Sequence, residues 1–92
     1  MSEALPQDRA LRISPTYRMQ WEPAQNCNVL LYPEGMVKLN AAASEILTLC
    51  DGSRDLQAIL RELVCKFPGA DLEQDVRDFL GDAHERGWIS VV

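Results

Sequence analysis

Histidine occurs once in the 92 residues, at His84, and cysteine three times, at Cys27, Cys50 and Cys65. No Cys-x-x-Cys pair exists, and no second ligand stands at helical spacing from His84, so a zinc site has no donor set. His84 reads as an ordinary surface histidine, and neither a metal nor a cofactor is expected. An odd, widely spaced cysteine set does not make the even disulfide framework of a small secreted domain. Residues 1–10 (MSEALPQDRA) lack the apolar core of a signal peptide. No apolar run approaches the roughly 20 residues that span a bilayer. These absences together lead to the expectation of a reduced, cytoplasmic, soluble protein. Positive charge is scarce too: nine Lys and Arg stand against fourteen Asp and Glu, a formal net charge of −5. Attraction to phosphate needs a positive surface, so nucleic acid and anionic membrane are disfavoured as partners. There is no glycine-rich phosphate loop, and the length excludes a Rossmann domain or a TIM barrel.

What is present is the material of one small core. Hydrophobic residues make up 47% and charged residues 25%, the balance of a soluble globular domain. Residues 1–10 read as a flexible tail and residues 11–92 as a single domain. Tyr17, Met19 and Trp21 alternate with Arg18, Gln20 and Glu22, the period of a half-buried strand. Pro23–Asn26 is a turn, Cys27–Tyr32 a nearly all-apolar central strand, and Pro33-Glu-Gly35 a second turn. Met36–Leu39 is a short third strand. Short turns between strands imply an antiparallel meander.

At Asn40, a natural helix N-cap, the period changes to that of a helix. Ala42, Ala43, Ile46, Leu47, Leu49 and Cys50 form the first apolar stripe, ended by Asp51-Gly52. The second helix, capped by Ser53 or Asp55, carries Leu56, Ile59, Leu60, Leu63, Val64 and Phe67, and Pro68-Gly69 stops it. The third opens with the capping-box-like pair Asp71 and Gln74. Its stripe is Leu72, Val76, Phe79, Leu80 and Ala83. Gly87 suits its C-terminal cap, after which Trp88 and Ile89 fold back onto the core. The expected fold is α+β: an N-terminal three-stranded antiparallel sheet followed by a three-helix bundle, a winged-helix-like order.

Catalysis has no candidate constellation. Cys50 lies within an apolar stripe and Cys65 opposite one, and neither has a base nearby in sequence. Asp71, Glu73, Asp75, Asp78, Asp82 and Glu85 crowd the third helix, but mostly off its apolar stripe, as a solvated face. A DNA reader would need bases on that helix, where only Arg77 and Arg86 occur. The third strand is more informative. It is an outer strand of the meander, and an outer edge is either protected or used. An extended peptide can add to such an edge as a further strand.

The run Leu31-Tyr-Pro-Glu-Gly-Met-Val-Lys-Leu-Asn40, with Ala41-Ala-Ala-Ser-Glu-Ile-Leu47 and Cys50-Asp-Gly52 after it, resembles the pyrroloquinoline quinone biosynthesis protein D (PqqD) family. Trp21-Glu-Pro-Ala-Gln25, the helix Asp55–Phe67 and His84-Glu-Arg-Gly-Trp88 extend the likeness over roughly residues 11–90. The resemblance implies a peptide chaperone in PQQ biosynthesis and not an enzyme. Such a protein binds the ribosomally made precursor PqqA and presents it to PqqE, a radical S-adenosylmethionine enzyme that links a glutamate and a tyrosine of the precursor. It further implies docking of the peptide against the third strand, Met36, Val37, Lys38 and Leu39, and the third helix, Val76, Arg77, Phe79, Leu80 and Ala83. Alternatives are a recognition element of another ribosomal peptide-modification pathway, a DNA-binding winged-helix regulator, a small enzyme, and an acidic structural homodimer paired through the same edge.

Overall fold

The computed structural model describes residues 5, 6 and 8–92. In chain order the elements are β1 (Leu11–Ile13), β2 (Arg18–Glu22), β3 (Cys27–Tyr32), β4 (Gly35–Lys38), α1 (Ala41–Thr48), β5 (Asp51–Arg54), α2 (Leu56–Lys66), α3 (Glu73–Glu85) and β6 (Ile89–Val91). The expected meander is present as the antiparallel sheet β2-β3-β4 with β3 central. Asn26 completes the β2–β3 turn at φ 55°, a left-handed angle that asparagine tolerates better than most residues.

The expectation of one N-terminal sheet followed by an uninterrupted helix bundle needs correction. A second antiparallel sheet, ordered β5-β1-β6, threads between the helices. β5 separates α1 from α2, and β6 follows α3. β1 pairs on one side with β6, Leu11 facing Val91 and Ile13 facing Ile89, and on the other with β5. Asp51-Gly52, expected only as a helix terminator, is the start of a strand, because β1 supplies a partner that local sequence does not reveal. Of the residues expected as a tail, 1–4 and 7 lie outside the described residues. Leu5 packs against the core, and Arg9 and Ala10 hydrogen-bond the backbone of Val92.

The helix ends follow side-chain chemistry. Asn40 Oδ1 accepts from the Ala43 N–H at 2.7 Å and caps α1. Asp55 caps α2 through Ala58 N–H at 2.9 Å, while Ser53 belongs to β5. The capping box expected for α3 does not form: the helix begins at Glu73 after Leu72, one position too late for Asp71 and Gln74 to face each other. Gln74 donates instead to Asp78 Oδ1 at 2.8 Å. At the other end Trp88 N–H reaches Ala83 C=O and Gly87 N–H reaches His84 C=O, with Gly87 at φ 83°. That is a Schellman cap.

One core joins the two sheets and three helices. Leu11, Leu30, Leu39, Leu47, Leu56, Ile59, Leu63, Leu80 and Ile89 are buried in it. Burying each such side chain contributes about 1.5–3 kcal/mol. The sequence stripes overreach at their margins. Ala42 is exposed, as are Val64 in the last turn of α2 and Phe67 just after it. Trp21, at the end of β2, is 54% exposed although its strand parity is that of Tyr17 and Met19.

Candidate functional site

β4 is an outer strand of its sheet, and its ladder with β3 decides which backbone groups it leaves open. Val29 faces Lys38, Leu30 faces Val37, and Leu31 faces Met36. Just beyond the strand, the Leu39 N–H donates to the Asn28 C=O at 2.9 Å. In an antiparallel ladder, pairs that exchange both hydrogen bonds alternate with pairs that exchange none. Leu39, Val37 and Gly35 are therefore the bonded positions. Met36 and Lys38 turn their N–H and C=O groups outward, away from β3.

Side chains alternate across the same strand. Val37 and Leu39 point to the core face, Leu39 fully covered and Val37 half-buried. Met36 and Lys38 are exposed on the outer face, with Leu31 beside Met36 and Val29 beside Lys38. At the far end of β4, Trp21, Asn28, Leu39, Ala41, Ser44 and Glu45 line a shallow depression. Asn40 ties that end to α1 through its cap.

The expected residues of α3 divide into two sets. Val76, Leu80 and Ala83 are at most 2% exposed and belong to the closed core. A helical wheel finds the core-facing stripe of a small domain, not a face reserved for a partner. Phe79 and Arg77 lie at the stripe's margin. Phe79 is half-buried against the core, and the Arg77 guanidinium holds Glu73 at 3.0 Å. β4 and α3 thus back onto one core from which Val37 and Phe79 emerge.

The titratable groups are those of a scaffold. Burial, with a smaller push from the Asp51 charge, raises the Cys50 thiol to about 12, and its sulfur lies 3.6 Å from the Ile46 carbonyl oxygen. Hydrogen bonds from the Ser53 hydroxyl and amide hold the Asp51 carboxyl below its ordinary range. Cys65 is exposed. The acids of α3 face solvent, Asp82 with Arg86 at 2.8 Å. Among the described residues no cluster of His, Cys, Asp and Glu is placed to hold a metal ion. No described helix is long and apolar enough to cross a membrane.

This edge and its flanking elements lie within residues 27–89, the stretch that matches the family described as Coenzyme PQQ synthesis protein D (PqqD). The chain belongs to the PqqD family. A PqqA binding protein of Azotobacter vinelandii is 57% identical over 76 residues, covering 82% of this chain and 83% of that one. A PqqA binding protein of Methylococcus capsulatus is 48% identical over 86 residues, covering 94% of this chain and 92% of the relative. The solution structure of the PqqD part of Methylobacterium extorquens PqqCD, described as a stand-alone recognition element for ribosomally synthesized, post-translationally modified peptides, superposes with a TM-score of 0.75. It covers 95% of each chain at 22% identity, a likeness of fold. The heterocyclase TruD contains the fold within 12% of its length, at a TM-score of 0.69 and 20% identity.

Two features of this PqqD-family site escape sequence reasoning. The phase of the β3–β4 ladder, which selects Met36 and Lys38 as the open positions, is fixed by a bond from outside the strand. The ring contact of Tyr17 with Tyr32, at 5.4 Å between centroids, closes the other end of the sheet and joins residues distant in sequence.

Proposed function

We propose that the chain binds the precursor peptide PqqA as a fourth strand along β4 and presents it to the radical S-adenosylmethionine enzyme PqqE in the cytoplasm. It would do so as a winged-helix-like peptide chaperone in PQQ biosynthesis, without catalysis of its own and without nucleic acid, membrane or cofactor. The open edge at Met36 and Lys38 carries this reading, and relatives named for PqqA binding support it. Each of the two residues offers one donor and one acceptor. A hydrogen bond contributes a net ~0.5–1.5 kcal/mol, while fixing a peptide residue costs about 1–2 kcal/mol. Backbone pairing alone therefore comes close to cancelling, and apolar contacts with Val37 and Phe79 must supply the surplus. Moderate affinity of that origin suits handover to an enzyme. Titrating amide-labelled protein with PqqA should shift the resonances of Met36–Leu39 and of Phe79. Unmoved β4 resonances in a saturated complex would overturn the site.

A further inference from the structure

Among the described residues four of the nine Lys and Arg form ion pairs. Arg54, Lys66, Arg77 and Arg86 hold Asp51, Glu45, Glu73 and Asp82. Lys38 makes no ion pair among the described residues, and neither does Arg18 of the same sheet face. Lys38 stands on the open edge itself. Its backbone groups point outward and its side chain rises on the outer face, two residues from the exposed Met36.

We infer that Lys38 selects an acidic side chain in the incoming peptide, so the chain reads charge as well as strand-forming capacity. The inference rests on the strand-addition reading above. A strand paired along β4 places one residue beside Lys38, the next beside Val37 and the third beside Met36. Because side chains alternate, the first and third rise on the outer face and the middle one turns inward. The recognised segment is then an acidic residue and an apolar residue separated by one further apolar residue, whichever way the peptide runs. Opposite charges on directly facing residues stabilise a ladder, and like charges oppose it. The same lysine works against the pairing of β4 with a second copy, since self-pairing brings two lysines together along one edge.

The test is a binding series with fluorescently labelled PqqA at low salt, using wild type, Lys38→Gln, Lys38→Glu, and Arg61→Glu as an exposed-charge control on α2. Each acidic residue of the peptide is exchanged in turn for its amide. Lys38→Gln should weaken binding about threefold and Lys38→Glu about tenfold, with Arg61→Glu unchanged. One peptide position should lose affinity against wild type and lose nothing further against Lys38→Gln. Equal affinity of Lys38→Glu and wild type, or losses at every peptide acid that ignore the Lys38 substitution, overturn the inference. Amide shifts separate the two levels. Shifted Met36–Lys38 resonances without coupling at Lys38 reject only the charge readout, whereas unmoved β4 resonances reject strand addition itself. Sedimentation of the wild type beside Lys38→Gln covers the remaining occupant, because an edge closed by dimerisation in the wild type also overturns the inference.

Discussion

Single side chains carry consequences that measurement can isolate. The Cys50 thiol, raised to about 12 by burial, keeps its proton in the folded protein, while in the unfolded chain it ionises near 9. The unfolded state thus holds fewer protons than the native state between those values. Stability from this residue is fully present below pH 9 and falls by about 1.4 kcal/mol per pH unit above it. Urea unfolding at pH 8 and pH 10 should show this loss in wild type and its removal in Cys50→Ala. Iodoacetamide at pH 8 should label exposed Cys65 and spare Cys50 until the chain unfolds. Asn40 belongs to the same scale. Its amide oxygen satisfies a free N–H of α1 where that helix leaves β4. Asn40→Ala should cost about 1 kcal/mol, read as a lower denaturation midpoint with unchanged m.

Elements separate what local pattern dictates from what partners impose. Val37 N–H bonds to β3, whereas Met36 N–H faces outward. Val37→Pro should therefore remove a ladder hydrogen bond and lower the denaturation midpoint well below that of Met36→Pro. Met36→Pro leaves the ladder intact, since proline is accepted on an edge strand with its missing N–H turned to solvent. It should weaken PqqA binding more than Met36→Ala does, with near-native stability. Equal binding of the two Met36 variants would show that the peptide does not use this N–H. Gly87→Ala forces a left-handed angle on a residue with a Cβ, and nothing lies within 4 Å to clash, so the cost of about 1–2 kcal/mol is purely conformational. β2 and all three helices are legible in the sequence because each repeats its period, β3 because it is an apolar run, and four-residue β4 because the Pro33-Glu-Gly35 turn folds it back onto β3. β1, β5 and β6 are not. They are three or four residues long, and Asp51-Gly-Ser-Arg54 is polar, with strand character conferred only by β1 across the fold. The edge at β4 is legible for the same reason as its sheet. The division of α3 into covered Val76, Leu80 and Ala83 and marginal Arg77 and Phe79 is not, because periodicity marks an apolar face without saying what covers it.

At the scale of the whole molecule, the binding edge depends on residues far from it. Among the described strands β4 pairs only with β3, whose Leu30 enters a core shared with Leu11 of β1 and Ile89 of β6. β1 pairs with β6 in register through Leu11, Arg12 and Ile13, whereas its pairing with β5 shifts register between Leu11 and Arg12. Ile89 is 1% exposed, and its replacement by alanine should cost about 2–5 kcal/mol. That is a large share of the ~5–15 kcal/mol by which a domain is stable. Removing residues 89–92 deletes Ile89, the whole β1–β6 ladder and the backbone acceptor of Arg9 together. One shared core leaves no separate unit in which β2-β3-β4 could persist, since a lone three-stranded sheet with an uncovered apolar face is marginal in water. The truncated chain should lose cooperative unfolding, amide dispersion in β4 and PqqA binding in one step, although none of the deleted residues lies at the edge. Retained binding with native-like β4 resonances would instead show that the sheet folds on its own.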